Sequence, residues 1–461
     1  MRRFLTRQSK SNAEENLSGV WAEPTRHTLP FRATLPISST SQNHFNFGKS
    51  DFTSPKAARD SILFARTGHH CTAQLPLRNP PIGRPVSLHT STLRGPLMMS
   101  FEQFLRNASH SPLVAACQHV AAGGRAIGFV GPDIPVELLL AADAFPLQLR
   151  ADPDGNTPLA DQHFEPSFPV LAKSIAEQWL SGKLDFLSSI VFSRASDSIQ
   201  RCYYYLCDLH NSSHSHAPAP LIFDVAKIPR STSLHHTHAA ILSLAESLSA
   251  ELSRLPEAVA LRDRRRMLIA RLADARRSPK APSGVICSQL MQIADTVSAC
   301  EFDQQIDAWL DKARPMPLGP RLVLAGTAPT TSWIHEAVEM AGGSVVAEIG
   351  EHAIDCLGPP IGPSANPSHA LARHYHCLNS SARSFADPAD TIARRATEYS
   401  VSGAVLWLSE EDEALPWQLP ALTGALNRLR IPTLILSRQR HSDQRDAALR
   451  INRFVAGLGS N

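Results

Sequence analysis

Arg194, Ser196, Asp197, Ser198 and Arg201 stand together directly behind the β-branched and aromatic run Ile190-Val191-Phe192. Hydroxyls, a carboxylate and two guanidiniums at this spacing suit the binding of a polar or anionic ligand. The run before them is of the kind that makes a buried parallel strand, and small polar residues then open a helix through Cys202-Tyr203-Tyr204-Tyr205-Leu206. In an open α/β sheet such a loop lies at the carboxyl end of a strand, where ligands bind, and Ser196 or Ser198 can cap the helix. An N-cap alone is the simpler account of Ser-x-Ser before a helix, because such caps far outnumber sites.

Three other groupings have chemical potential. Ser409-Glu410-Glu411-Asp412-Glu413 follows the strand-like Gly403–Leu408 and so occupies in the second half the place that the first loop occupies in the first half. His210, His214 and His216, with His235, His236 and His238 behind them, are dense enough to consider a metal, but no Cys or acidic partner recurs at a ligand spacing, so no metal site is expected. Arg262, Arg264, Arg265 and Arg266 surround Asp263; this reads as a solvated helix face, with phosphate contact as the alternative. The eight cysteines are scattered without a Cys-x-x-Cys pair, which fits free, mostly buried thiols in a reducing cytoplasm. Cys202 and Cys207 are expected to pack in the core.

The elements that must position these residues alternate. A helical run from Phe101 to Ala122 ends at Gly123-Gly124, a strand follows at 126–131, a helix at 136–142 and a second strand at 145–150. A helix from about Val170 to Leu180 leads to the 190–192 strand, and 221–225 reads as the next. From Ser233 to about Arg314 the pattern is almost wholly helical. Strands then return at 321–326, 344–348, 403–408 and 431–436, separated by helices at 332–341, 387–399 and 419–429, with a closing helix at 444–458. Alternation of this kind implies parallel, helix-covered sheets. The expected fold class is α/β, two Rossmann-like parallel-sheet lobes joined by a helical segment: 99–230 as the N-terminal lobe, 231–316 helical, 317–461 as the C-terminal lobe. The Gly-containing turns do not form G-x-G-x-x-G, so a dinucleotide site is not supported.

Composition suits a globular chain with more than one core: 461 residues, 43% hydrophobic and 19% charged. No apolar run approaches the roughly 18 to 20 residues that span a bilayer. Residues 1–98 differ, being rich in Ser, Thr, Pro, His and Asn, with 13 Lys/Arg against 5 Asp/Glu. They read as upstream sequence included by a miscalled start, or as a disordered extension, with a targeting segment as a third option. Met98-Met99-Ser100-Phe101 looks like a natural beginning.

Taken in order, Gly131-Pro132-Asp133-Ile134-Pro135-Val136-Glu137-Leu138, Ala141-Ala142-Asp143-Ala144-Phe145-Pro146-Leu147, Leu180-Ser181-Gly182-Lys183-Leu184-Asp185, Asp197-Ser198-Ile199-Gln200-Arg201, Arg321–Gly326, Gly403-Ala404-Val405, Ile431-Pro432-Thr433-Leu434 and Arg450-Ile451-Asn452-Arg453-Phe454 make the chain resemble the 2-hydroxyglutaryl-CoA dehydratase D-component family. That family contains 2-hydroxyacyl-CoA dehydratase subunits and the related benzoyl-CoA reductase subunits. The resemblance implies paired Rossmann-like lobes holding a [4Fe-4S] cluster at their interface by three cysteines. It also implies an ATP-dependent activator that injects one electron, and an acyl-CoA substrate that becomes a ketyl radical anion before losing a hydroxyl or β-proton. This sequence departs from the pattern at the ligands. The family's Cys-Asp appears as Ser196-Asp197, its Phe-Cys as Leu408-Ser409, and its third cysteine falls near Pro169, where Ser167-Phe168-Pro169-Val170 offers no thiol. A hydroxyl is a harder and far less acidic ligand than a thiol.

The expectation is therefore a 2-hydroxyacyl-CoA dehydratase (lyase) or benzoyl-CoA reductase-like subunit without a cofactor of its own, working beside a cluster-bearing paralogous subunit. Arg194, Ser196, Asp197 and Arg201 are its substrate-binding candidates for an acyl-CoA, and no catalytic residue is assigned. The alternative is a non-catalytic binding or assembly protein that keeps the fold. An acyl-transfer or hydrolytic use of Ser196 or Ser409 is a weaker third, since neither sits in G-x-S-x-G. Neither nucleic acid nor membrane is expected as a partner, and the expected location is the cytoplasm.

Overall fold

The computed structural model describes residues 100–459 apart from 153–154, 214–216, 280, 313–318, 352, 355 and 380–383. The readings of residues 1–98, of His214 and of His216 lie outside the described residues. The helical run at the start is two helices, α1 (Phe101–His110) and α2 (Val114–Ala121), parted at Ser111-Pro112, where proline cannot continue the helix.

The first sheet then forms from β1 (Arg125–Val130), β2 (Ala144–Gln148), β3 (Ser189–Ser193) and β4 (Ala219–Phe223), all parallel in the order β2-β1-β3-β4. Its crossovers carry α3 (Val136–Ala141), α4 (Val170–Leu180) and α5 (Asp197–Ser213). Every residue of β3 is buried, which its continuous apolar run foretells for a strand covered on both faces. One face packs on α4 and α5 through Ile190, Phe192, Ile175, Trp179, Cys202 and Leu206. Cys202 thus packs as expected, while Cys207 is only half-buried.

After β4 come α6 (Ser231–Ser247), α7 (Leu255–Arg277), α8 (Gly284–Ile293) and α9 (Ala299–Leu310). The second sheet repeats the first: β5 (Arg321–Gly326), β6 (Ser344–Ile349), β7 (Gly403–Ser409) and β8 (Thr433–Gln439) run parallel in the order β6-β5-β7-β8. Its helices are α10 (Trp333–Met340), α11 (Pro367–Cys377), α12 (Pro388–Glu398), α13 (Leu419–Arg428) and α14 (Gln444–Leu458). Asp387 caps α12 by accepting from the amides of Ala389 and Asp390, with Pro388 in the first turn as its position suggests. α12 and α13 cover one face of this sheet, and α10 and α14 the other.

Two features bring the lobes together. α11 lies between β6 and β7 in sequence but packs its Leu371, Ala372 and Tyr375 into the core of the first sheet, beside Phe129, Val191 and Leu244. Lys227, after β4, fixes it there: its buried ammonium donates to the carbonyls of Tyr375 (2.7 Å), Leu378 (2.6 Å) and His376 (3.3 Å) at the end of α11. The second feature is α7, which turns Arg262, Arg265, Arg266 and Arg276 inward. Arg262, Arg265 and Arg266 are 5%, 3% and 2% exposed, so the expected solvated face is corrected; of the cluster only Arg264 is exposed. The reason is a set of carboxylates distant in sequence. Arg262 pairs bidentately with Asp295 (2.6 and 2.9 Å), Arg265 with Asp295 (2.8 Å) and Asp303 (3.1 Å), and Arg266 with Glu137 of α3 (2.5 Å) and Asp263 (2.9 Å).

Candidate functional site

The carboxyl ends of both sheets open on one cleft of about 990 Å³. A glycine with positive φ turns the chain at the rim of each central strand: Gly131 (φ 84) after β1 and Gly326 (φ 114) at the end of β5. A Cβ on Gly326 would meet the Trp407 carbonyl oxygen at 2.1 Å, and one on Gly131 would meet Ile199 at 2.9 Å, so only glycine lets these turns close against the neighbouring strand and helix.

The first candidate loop enters the cleft from β3. Ser193 Oγ accepts from the amide of Ala195 (3.0 Å) and turns the chain, and Ser196 Oγ accepts from the amide of Ile199 (3.2 Å), capping α5. Ser196 therefore has the structural role that Ser-x-Ser suggests, and it also lines the cleft together with Asp197, Ser198 and Arg201. Arg201 stacks over the Phe168 ring (4.3 Å to its centroid) and pairs with Glu165 (3.3 Å). Arg194 does not join them. It pairs with Asp224 and lines a separate open groove of about 700 Å³ with Lys227, Arg230 and His236. Ser384 lines both spaces.

The second loop meets the first across the cleft. Ser409 ends β7, its amide donating to Thr327 Oγ1 (3.1 Å), which in turn donates to Asp412 (2.7 Å). Ser409, Glu411, Asp412 and Glu413 line the cleft, while Glu410 turns away to Arg440. Ser167, Pro169 and Val170, at the start of α4, complete the same wall. The three places of the expected cluster ligands are thus brought to one cavity.

The donor set there is hydroxyl, not thiolate. Cys356 is the one cysteine in the lining among the described residues, and burial pushes its thiol up to about 12. Cys202 and Cys287, in the cores, are pushed up to about 12 by the same cause. Among the described residues no three His, Cys, Asp or Glu side chains stand together as metal ligands. A four-iron cluster needs several thiolates, so the residues present do not fit one. Of the described histidines in that group, His238 hydrogen-bonds Ser368 (3.0 Å), and His235 and His236 are exposed.

Two cleft residues escape the sequence reading. Arg150, two residues beyond β2, is held by burial at about 10, below the ordinary guanidinium range, against the pull of Asp295 and Cys356. Glu351, two residues beyond β6, is pushed up to about 7 by burial, with Asp133 and Asp412 adding to the shift. Asp133 itself is buried at φ 66, an unusual conformation for a residue other than glycine, and stands 3.8 Å from Lys227. The only sequence signal for Arg150 and Glu351 is their place just past the carboxyl end of a strand.

Fold and site define a two-lobed α/β protein with a cleft at the carboxyl ends of two parallel sheets. The family model of the 2-hydroxyglutaryl-CoA dehydratase D-component matches residues 133–456, and the chain belongs to that family. No curated protein matches it. The family is that of one component of a dehydratase system. Among the described residues no helix is long and apolar enough to cross a membrane.

Proposed function

We propose that this chain is a 2-hydroxyacyl-CoA dehydratase-type subunit that binds an acyl-CoA thioester in the cleft and carries no iron–sulfur cluster of its own. One observation carries the reading: the Ser167–Val170 stretch, Ser196 and Ser409 line a single cleft in a chain of this family. Hydroxyls at those places give a polar wall that can bind a ligand but lacks the thiolates by which iron–sulfur clusters are held. The electron for any reductive step then comes from a cluster on a paralogous subunit, charged by an ATP-dependent activator, in the cytoplasm. Arg201 on the wall is the partner for an anionic part of the ligand, and the groove of Arg194 and Arg230, joined to the cleft at Ser384, suits the phosphates of the CoA nucleotide.

A second reading, a binding or assembly protein that retains the fold, is favoured by Glu411, Asp412 and Glu413 in the lining, because they repel phosphates. Isothermal titration of the full chain with acyl-CoA thioesters separates the two. Saturable binding, weakened about fivefold in Arg201→Ala, is the expected result for an exposed charge contact. No binding to any thioester, alone or with a cluster-bearing paralogue, leaves the second reading. Unchanged affinity in Arg201→Ala removes that residue from the site.

A further inference from the structure

A smaller pocket, of about 30 Å³, lies beside the cleft at the ends of β5 and β6. Gly326, Thr327 and Glu351 line both spaces, whereas Ser288, His335 and Glu348 line the small one only. A water needs about 10–15 Å³ and two or more polar partners, and this pocket offers both. His335, on α10, is 2% exposed. Burial would raise the carboxyl of Glu348 beside it, but Arg276 and His335 hold that carboxyl at about 2, so it is ionised. It therefore accepts from His335 Nε2 (2.9 Å), which fixes the ring proton on that nitrogen and leaves Nδ1 as an acceptor. Nδ1 is closed off from solvent and meets no donor among the described residues. Buried acceptors of this kind are met by ordered water.

Glu351 is the other polar end. It is half-buried, lines both spaces and has no hydrogen-bond partner among the described residues. Burial raises its carboxyl, and Asp133 after β1 and Asp412 after β7 add to the effect. Lys227 stands 3.8 Å from Asp133 and donates to the carbonyls of α11. Around His335 the charged groups are Glu348 of β6 and Arg276 of α7, bound to each other, while burial keeps the nearby Cys287 thiol of α8 protonated. Asp133 and Asp412 thus favour a proton on Glu351. Glu348 favours one on His335, against the opposition of Arg276.

We propose that the small pocket is a water site joining His335 Nδ1 to the Glu351 carboxyl, and that a proton passes between them through this water, which makes Glu351 the proton-exchanging group of the cleft and His335 the residue that positions it. In the transfer the O–H bond of Glu351 breaks, its proton bonds to the water, and a proton of that water bonds to Nδ1. The pair goes from carboxyl and neutral imidazole to carboxylate and imidazolium, with no atom or charge gained or lost. A relay through one water is within the ordinary reach of proton exchange. The assignment does not depend on the acyl-CoA reading and holds for any ligand of the cleft.

NMR of the full chain carrying ¹⁵N-histidine and ¹³C-carboxyl glutamate, with a crystal structure of the same chain, tests it. His335 and Glu351 signals are assigned by their loss in His335→Gln and Glu351→Gln. The expected result is a ring protonated at Nε2, an ordered water at Nδ1, and an Nδ1 signal that steps as Glu351 titrates near pH 7. That step is absent in Glu351→Gln. In His335→Phe the Glu351 midpoint rises by about half a unit or more, because its carboxylate loses the water that donates to it. A ring protonated at Nδ1 instead, no ordered water there, an Nδ1 signal flat through the titration of Glu351, or a step that survives Glu351→Gln overturns the assignment. So does an unmoved Glu351 midpoint in folded His335→Phe. The wild-type signals decide the matter even where that variant does not fold.

Discussion

Glu348 and Glu351 stand three residues apart at the end of one strand and have opposite chemistry. Glu348 is largely enclosed, and burial alone would raise its carboxyl, yet Arg276 (2.6 Å to each oxygen) and His335 (2.9 Å) hold it at about 2. Glu351 faces the cleft, has no hydrogen-bond partner among the described residues, and is pushed up to about 7. Arginines divide in the same way. Burial would lower Arg276, but Glu348 raises it above its ordinary value, whereas Arg150 is depressed to about 10. Arg262, Arg266 and Asp295 are thus completed by the protein even where they line the cleft, whereas Arg150 and Glu351 in the same lining meet no charged partner at hydrogen-bond distance among the described residues.

The largest effect that sharpens this contrast is at the completed pairs. Arg266→Met leaves Glu137 buried and uncompensated and is expected to cost about 3–5 kcal/mol of unfolding free energy in urea titration. Arg150→Met, the same chemical change at a guanidinium with no carboxylate bonded to it, is expected to cost nothing or to stabilise. Similar losses in the two variants would mean that the protein compensates Arg150 as fully as Arg266.

pH gives the next effect. Glu351, raised in the folded state, adds stability below its unfolded value near 4.5 that is lost as pH rises through about 7. Glu348, depressed, adds stability above about 4.5 that is lost as pH falls toward 2. Glu351→Gln is thus expected to remove a decline on the order of 2 kcal/mol between pH 4.5 and 7, and Glu348→Gln is not. Thermal melts of both variants across that range check the signs. The smallest effect belongs to the surface: Arg440 pairs with Glu410 in the open, and Arg440→Ala is expected to leave the melting temperature unchanged within error.

Much of the frame was legible in the sequence because it is local. The runs at 190–192 and 403–408 are apolar and continuous, as strands covered on both faces must be, and Asp387-Pro388 marks a helix start by its own chemistry. The equivalence of the two loops follows from the repeated order of strands and helices, and both indeed face one cleft. What escaped depends on distant partners. Arg266 reads as a surface residue because Glu137 lies 129 positions away, and no periodicity announces that α7 buries its charged side. α11 gives no local sign that it packs on the first sheet, and Arg194 and Arg201, seven apart in sequence, face different spaces because the chain turns into α5 between them.

Iron and acid-labile sulfide in the full chain, purified without oxygen, are the measurement to make on the proposed subunit, because the described cleft lining offers one thiol, Cys356, where a four-iron cluster needs several thiolates. Iron far below one atom per chain and no visible charge-transfer absorption are expected. Near-stoichiometric iron and sulfide on the chain by itself would contradict it and make the protein a cluster-bearing subunit in its own right.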